Sequence, residues 1–176
     1  ADMVTSGHYR EYRDSSVKCT DSIKCGIYES PQDKEYLYNN LIINGKGETW
    51  GIHPAIWCKL VKTSLMRRVY LKLNDEAVYA EDAAAVYACC VLAERIIVTH
   101  NIYYHYCLRD NSIVHSRNPN YFCNINLIYN YLRSYFEKCD NTAILLQQLD
   151  MYFVRLVFLG INNFFGLGKK IQLGIS

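Results

Sequence analysis

The sequence predicts an α/β fold: a small mixed sheet with flanking helices, followed by a C-terminal helical extension. Three observations carry this. Residues 1–12, 56–62 and 95–106 are runs rich in β-branched and aromatic residues, which read as strands. Residues 83–93 are small or apolar with much alanine, the composition of a buried helix. Beyond Pro119, large apolar residues recur every three to four positions, the mark of amphipathic helices. The change at Pro119 divides the chain into 1–118, which carries the sheet, and 119–176, a helical extension packed on it.

In chain order, the run from Met3 to Tyr12 is the first strand. Arg13 to Glu29 is polar and mixed, and reads as an exposed hairpin or loop. A helix starts at Ser30-Pro31-Gln32-Asp33, with Ser30 as N-cap, Pro31 at the first helical position and Asp33 completing the box. It should run to about Asn44, because Gly45-Lys46-Gly47 is a natural stop. Gly51 to Lys62 passes from a glycine-rich approach into an aromatic and basic strand, and a short helix follows from Ser64 to Tyr70. Glu81 and Asp82 open the alanine-rich helix over 81–93. Arg95 to Tyr106 is one strand, or two broken near Asn101, leading into a turn-forming cluster that carries Arg109 and Ser112. Tyr121, Ile125, Ile128, Leu132 and Phe136 lie on one face of a helix over 119–138. Leu145, Leu149, Tyr152 and Leu156 do the same over 142–160.

Composition narrows the function classes. A chain that is 51% hydrophobic and 20% charged is globular rather than disordered. A net charge of +2 is too mild to imply a nucleic-acid partner. The eight cysteines form no CxxC pair and have no histidine at finger spacing, which argues against zinc. Several lie in apolar patterns, where a thiol behaves as a small hydrophobe, so a reducing, cytoplasmic compartment follows. The start, Ala1-Asp2-Met3, enters a strand without a basic or apolar leader, which suggests a piece of a longer protein.

The chemistry-bearing stretch is Val78-Tyr79-Ala80-Glu81-Asp82. A helix N-terminus offers free N–H groups and partial positive charge, which hold a carboxylate ionised and fixed in direction. A fixed, ionised carboxylate is a general base; the plainer reading is a pair that caps the helix and complements its dipole. Trp57 reads either as a sugar-stacking platform or as core. Lys59 reads either as a ligand for a phosphate or acceptor acid or as a surface lysine. His53 stands before Pro54 in a glycine-rich loop, where histidines are usually neither ligand nor metal contact. His100, His105 and His115 lack ligand spacing, and no metal site is assigned in this chain.

The order Trp57-x-Lys59-Leu60, then Glu81-Asp82 opening a helix, then Tyr104-His105-Tyr106 and Arg109-x-x-Ser112-Ile113, resembles the C-terminal half of bacterial family 2 glycosyltransferases. The opening Ala1 to Tyr9 resembles the strand that follows the metal-binding DxD motif in that family, so the likeness spans roughly residues 1–135. It implies a partial GT-A-like sheet and an inverting transfer from a nucleotide-sugar donor to a glycan or lipid-linked acceptor hydroxyl, in polysaccharide biosynthesis. It places the general base on Asp82, with Glu81 beside it. Substrate contacts then fall on Trp57, Lys59, His105, Arg109 and Ser112, with Arg109 and Ser112 on the diphosphate side.

The chain departs from the pattern in three places. Cys107 stands where a basic residue is usual, Ala83-Ala84-Ala85 follow the acids where a larger apolar residue is common, and the nucleotide-binding strands with their DxD are absent. The resemblance therefore implies a divalent metal, Mg or Mn, for the full-length enzyme, none bound by this part, and little activity for this part alone. A noncatalytic α/β interaction module is the other reading.

An incomplete sheet should expose apolar surface or self-associate into a homo-oligomer. The tail from Met151 to Ser176 is apolar but interrupted by Arg155, Asn162, Asn163 and Lys169-Lys170, so it should not span a bilayer. It reads first as a packed helix, with a dimer contact or a peripheral contact at the inner face of the membrane as the other readings.

Overall fold

A computed structural model describes residues 1–44, 49–108 and 119–165. The architecture is mixed α/β, built on a five-stranded sheet. Strand β1 (Met3–Glu11) is central and pairs in parallel with β5 (Ile96–Cys107). Its other edge is shared by two short antiparallel partners. Strand β4 (Lys59–Val61) lies beside Met3–Thr5, and β2 (Ser16–Cys19) lies beside His8–Glu11. Strand β3 (Gly26–Tyr28) pairs antiparallel with the start of β5.

The long β1–β5 pairing is interrupted around Gly7, where β5 carries extra residues between Val98 and Tyr104. A bulge of this kind needs close backbone approach. A Cβ on Gly7 would come within 2.7 Å of the Ile102 side chain and 2.8 Å of the Cys19 carbonyl. Asn101, the position at which the sequence suggests a break, lies in this irregular stretch, and β5 nevertheless continues as one strand.

Helix α3 (Glu81–Leu92) forms the centre of the molecule. Every residue from Ala83 to Cys90 is buried, so the helix has neighbours all round and no polar face. The three alanines after the acids fit this position, because small side chains let α2 (Thr63–Tyr70) and α4 (Tyr121–Phe136) pack close. Tyr87 is wholly buried and donates to the Ile52 carbonyl at 3.0 Å, which meets the requirement of a buried hydroxyl. One hydrophobic cluster runs from Met3 on β1 to Leu156 on the last helix.

Helices α4 and α5 (Thr142–Phe165) form an antiparallel pair. Tyr121 near the start of α4 donates to the Leu156 carbonyl at 2.8 Å, and Tyr129 to Asp150 at 2.7 Å. Gly160 admits the Tyr121 ring, since a Cβ there would lie 2.4 Å from it. Residues Thr142–Asn162 are long and apolar enough to cross a membrane by length and composition alone. In this fold, Leu145, Leu149, Tyr152 and Leu156 are buried against the core, while Met151, Val154 and Phe158 are exposed.

Four local features differ from what the sequence suggests. The segment 13–29 is more than an exposed loop: it holds β2 and β3, and Asp21 and Ile23 are buried. Helix α1 (Pro31–Asn39) has the capping box expected at Ser30 but stops five residues before Asn44. It stops because Leu41, Ile42 and Ile43 turn inward, where the Gln148 carboxamide accepts the Ile42 N–H at 2.9 Å. Residues 45–48, including the glycine pair proposed as the stop, lie outside the described residues. Residues 56–62 are not a uniform strand: Ile56–Cys58 form a single 3₁₀ turn and only Lys59–Val61 join the sheet. Last, the helix opened by the acids is not capped by a side chain. Its N-cap, Ala80, adopts a left-handed conformation with φ 61° and makes no such bond.

Candidate functional site

A cavity of about 480 Å³ opens at the N-terminus of α3. Its walls come from three parts of the chain: the 50–55 loop with Trp50 and His53, the 78–83 segment with Glu81 and Asp82, and α5 with Tyr152, Arg155 and Leu159. The acids reach it because of how α3 begins. Ala80 in the left-handed region reverses the chain sharply ahead of the helix, at a cost of about 1–2 kcal/mol for a residue with a Cβ.

Asp82 is held from outside its own helix. Its Oδ2 accepts the Ile56 N–H at 3.3 Å, so the first amide of the 3₁₀ turn orients the carboxylate. The loop ahead of that turn is held by a buried acid: Asp21 accepts the Thr5 hydroxyl at 2.5 Å and the His53 N–H at 2.8 Å. The His53 Nδ1 in turn accepts the Ala55 N–H at 3.2 Å, which leaves the ring proton on Nε2.

Burial raises the Asp82 pKa above its ordinary value; the Ile56 amide and the Lys59 charge work in the opposite direction and are smaller. Glu81 is raised as well, first by burial and then by the neighbouring Asp82, against a lowering backbone hydrogen bond. The carboxylate is therefore directed, as the helix start suggests, but it is more basic than a free aspartate. The reason is that desolvation outweighs the donors around it.

The other residues that the sequence singles out fall in different places. Lys59 is close to the acid by charge, and its ammonium donates to the Ala55 carbonyl at 2.9 Å and to the Cys58 thiol at 3.2 Å. Trp57 is packed in an aromatic cluster outside the cavity wall. It stacks on Tyr104 at 4.4 Å and Tyr106 at 5.1 Å, and His8 meets it edge-on at 4.7 Å. His105 pairs with Glu11 at 2.6 Å on the exposed side of β5 and does not line the cavity. Arg109 and Ser112 lie outside the described residues.

Trp50, Tyr79, Tyr152 and Arg155 line the cavity although the sequence assigns none of them a role in a site. Their one signal is that Arg155 interrupts an otherwise apolar helix. Half-buried, it stacks on the Trp50 ring with its Cζ 4.5 Å from the centroid.

One group of metal-ligating side chains is present among the described residues: His8, His53 and Cys58, whose ligand atoms lie within 4.8 Å of one another. Sequence spacing cannot reveal it, since β1, the 50–55 loop and the 3₁₀ turn each supply one member. Burial lowers His8 to about 4 and His53 to about 3, so both rings are neutral, and the His8 Nε2 is buried with no hydrogen-bond partner. Nitrogen and sulfur donors do not fit Mg or Mn, which take oxygen ligands. The Lys59 ammonium against the thiol and the Arg10 charge felt by His8 also oppose a cation there. Asp2 does not supply the missing oxygen site. Its carboxylate takes Lys62 at 2.6 Å and the Glu94 and Arg95 amides at 2.9 Å each, which brings its pKa down to about 2. Neither the His8, His53 and Cys58 group nor Asp2 offers the set of oxygen ligands that Mg or Mn takes.

Compared with known proteins, the chain matches no family model, no curated protein and no solved structure.

Proposed function

We propose that this chain is the acceptor side of an inverting, family 2-like glycosyltransferase, with Asp82 as its general base. The observation that carries the reading is a half-buried carboxylate, held by the Ile56 amide and made more basic by burial, in the wall of a cavity large enough for a sugar. An acceptor hydroxyl is a weak nucleophile until its proton is taken. In the proposed step the acceptor oxygen bonds to the anomeric carbon as its proton passes to Asp82. The bond from that carbon to the nucleotide diphosphate breaks on the opposite face, and the diphosphate departs with the electron pair. Configuration at the anomeric carbon inverts.

Burial sets the basicity of Asp82 and Lys59 moderates it, while Asp82 in turn raises Glu81 by like charge. For the diphosphate charge, Arg109 and Ser112 are the candidates within the chain. On this reading the donor-binding half lies elsewhere in the intact protein, which works on the cytoplasmic side of the membrane.

The test is acceptor-dependent nucleotide release by the intact protein from a panel of UDP-, GDP- and dTDP-sugars, with the product anomer read by NMR. One donor should be consumed with inversion. Binding of glycans with no nucleotide release from any donor would instead support a noncatalytic interaction module.

A further inference from the structure

Arg155 is a cation without a counter-ion among the described residues. It sits on α5, half out of water, in the wall of the same cavity as Glu81 and Asp82. The four ion pairs among the described residues are Lys62–Asp2, Arg95–Glu29, His105–Glu11 and Arg133–Glu137, and none includes it. The groups that act on its charge are burial and the Tyr152 and Tyr87 hydroxyls; no carboxylate is among them. Its guanidinium lies over the face of Trp50. A cation–π contact of this kind contributes about 0.5–2 kcal/mol and leaves the guanidinium edge, with its fork of N–H donors, unused.

The fold supports this arginine at some cost. Leu156 and Leu159, its neighbours on α5, also line the cavity, and Tyr152 one turn earlier is buried. An apolar side chain would fill the same wall without desolvating a charge. The compensating partner is then a ligand group.

We infer that the cavity takes a singly charged anionic saccharide or polyol, bearing a carboxylate or a phosphodiester, whose anionic group pairs with Arg155 while a hydroxyl faces Asp82. The sign follows from Arg155, and the single charge follows from its neighbours. One guanidinium can pair with one anionic charge, and the cavity already holds two acids, so a phosphate monoester, near −2 at neutral pH, would meet more repulsion than a monoanion. A bidentate carboxylate or phosphodiester also matches the guanidinium fork. The identity of this molecule as an acceptor rests on the glycosyltransferase reading; the anion preference does not.

The experiment measures binding without any donor, so it is independent of transfer. Methyl glucuronide, bis-glycerol phosphodiester and neutral methyl glucoside are titrated into the intact protein by calorimetry, at low and high salt. The Arg155 side-chain N–H resonance is followed by NMR in parallel. At least one anionic probe should bind tenfold or more tighter than methyl glucoside, weaken with salt and shift the Arg155 resonance. Which of the two does so separates a uronic acid from a phosphodiester polymer. Arg155→Gln should abolish the preference and Arg155→Lys should retain part of it. Equal binding of the three probes, no binding of any, or a preference that survives in Arg155→Gln would overturn the inference. Should Arg155→Gln fail to fold, the salt dependence and the resonance shift in the wild type decide it alone.

Discussion

At the scale of single residues, Asp82 is distinguished by the balance of forces on it. Burial pushes its pKa up, and the Ile56 amide and the Lys59 ammonium pull it down by less. A base must be deprotonated to work, so activity falls as pH drops through the folded pKa. With that value raised, the acid limb of kcat/KM should lie above the ordinary aspartate value of about 4. Removing the cation shifts it further in the same direction. In Lys59→Met the carboxylate loses a favourable charge, so the limb should move to higher pH. A limb that stays put or moves down in a pH–rate profile would show that Lys59 does not act on the base.

The acids themselves are legible in the sequence, because an acid pair ahead of an alanine-rich run is a local pattern. Two of the surrounding features are not. Arg155 lies 73 positions from Asp82 in the chain, and its role depends on α5 folding back across the cavity. The His8, His53 and Cys58 grouping joins three segments that have no common period. The basicity of Asp82 is similarly invisible, since a helix N-terminus argues for an easily ionised acid and only the packing around it reverses the sign.

At the scale of elements, the strong local signals hold. The Ser30 capping box forms as the sequence indicates, with Asp33 accepting the Ser30 N–H at 3.0 Å and Ser30 accepting the Asp33 N–H at 3.1 Å. The end of the same helix does not follow its local signal, because a long-range contact decides it. Gln148 on α5 is buried, accepts the Ile42 N–H at 2.9 Å and donates to the Tyr38 carbonyl at 2.7 Å. This one side chain ties α5 to α1 and so sets the α5 wall of the cavity.

Replacing it with an apolar isostere leaves those backbone groups buried and unpaired, at about 1–3 kcal/mol each. Gln148→Leu should therefore cost about 2–4 kcal/mol in urea unfolding. A loss below about 0.5 kcal/mol would mean that α5 is held by its apolar face alone. The strands show the same division between local and long-range causes. Residues 3–11 and 96–107 are recognisable from composition, whereas β2, β3 and β4 are three or four residues each and exist only because β1 and β5 offer edges to pair with.

At the scale of the molecule, the α/β class is carried by the two long strands and the buried helix, and these are the features composition specifies best. The site needs the whole chain. The sheet and the 3₁₀ turn orient Asp82, α3 presents it, and α5 closes the cavity with a cation. Folding the segments separately would give none of these relations, which is why a reading of motifs finds the acid pair but not Arg155.

The proposed transfer requires Asp82 as proton acceptor. The direct measurement is acceptor-dependent turnover of the intact protein and of Asp82→Asn, with its preferred donor and acceptor at saturating concentration. Asparagine keeps the shape and can still accept the Ile56 N–H, but it cannot take a proton. Turnover should fall on the order of 10²- to 10⁴-fold, with donor and acceptor still bound. Wild-type turnover in Asp82→Asn would contradict the account.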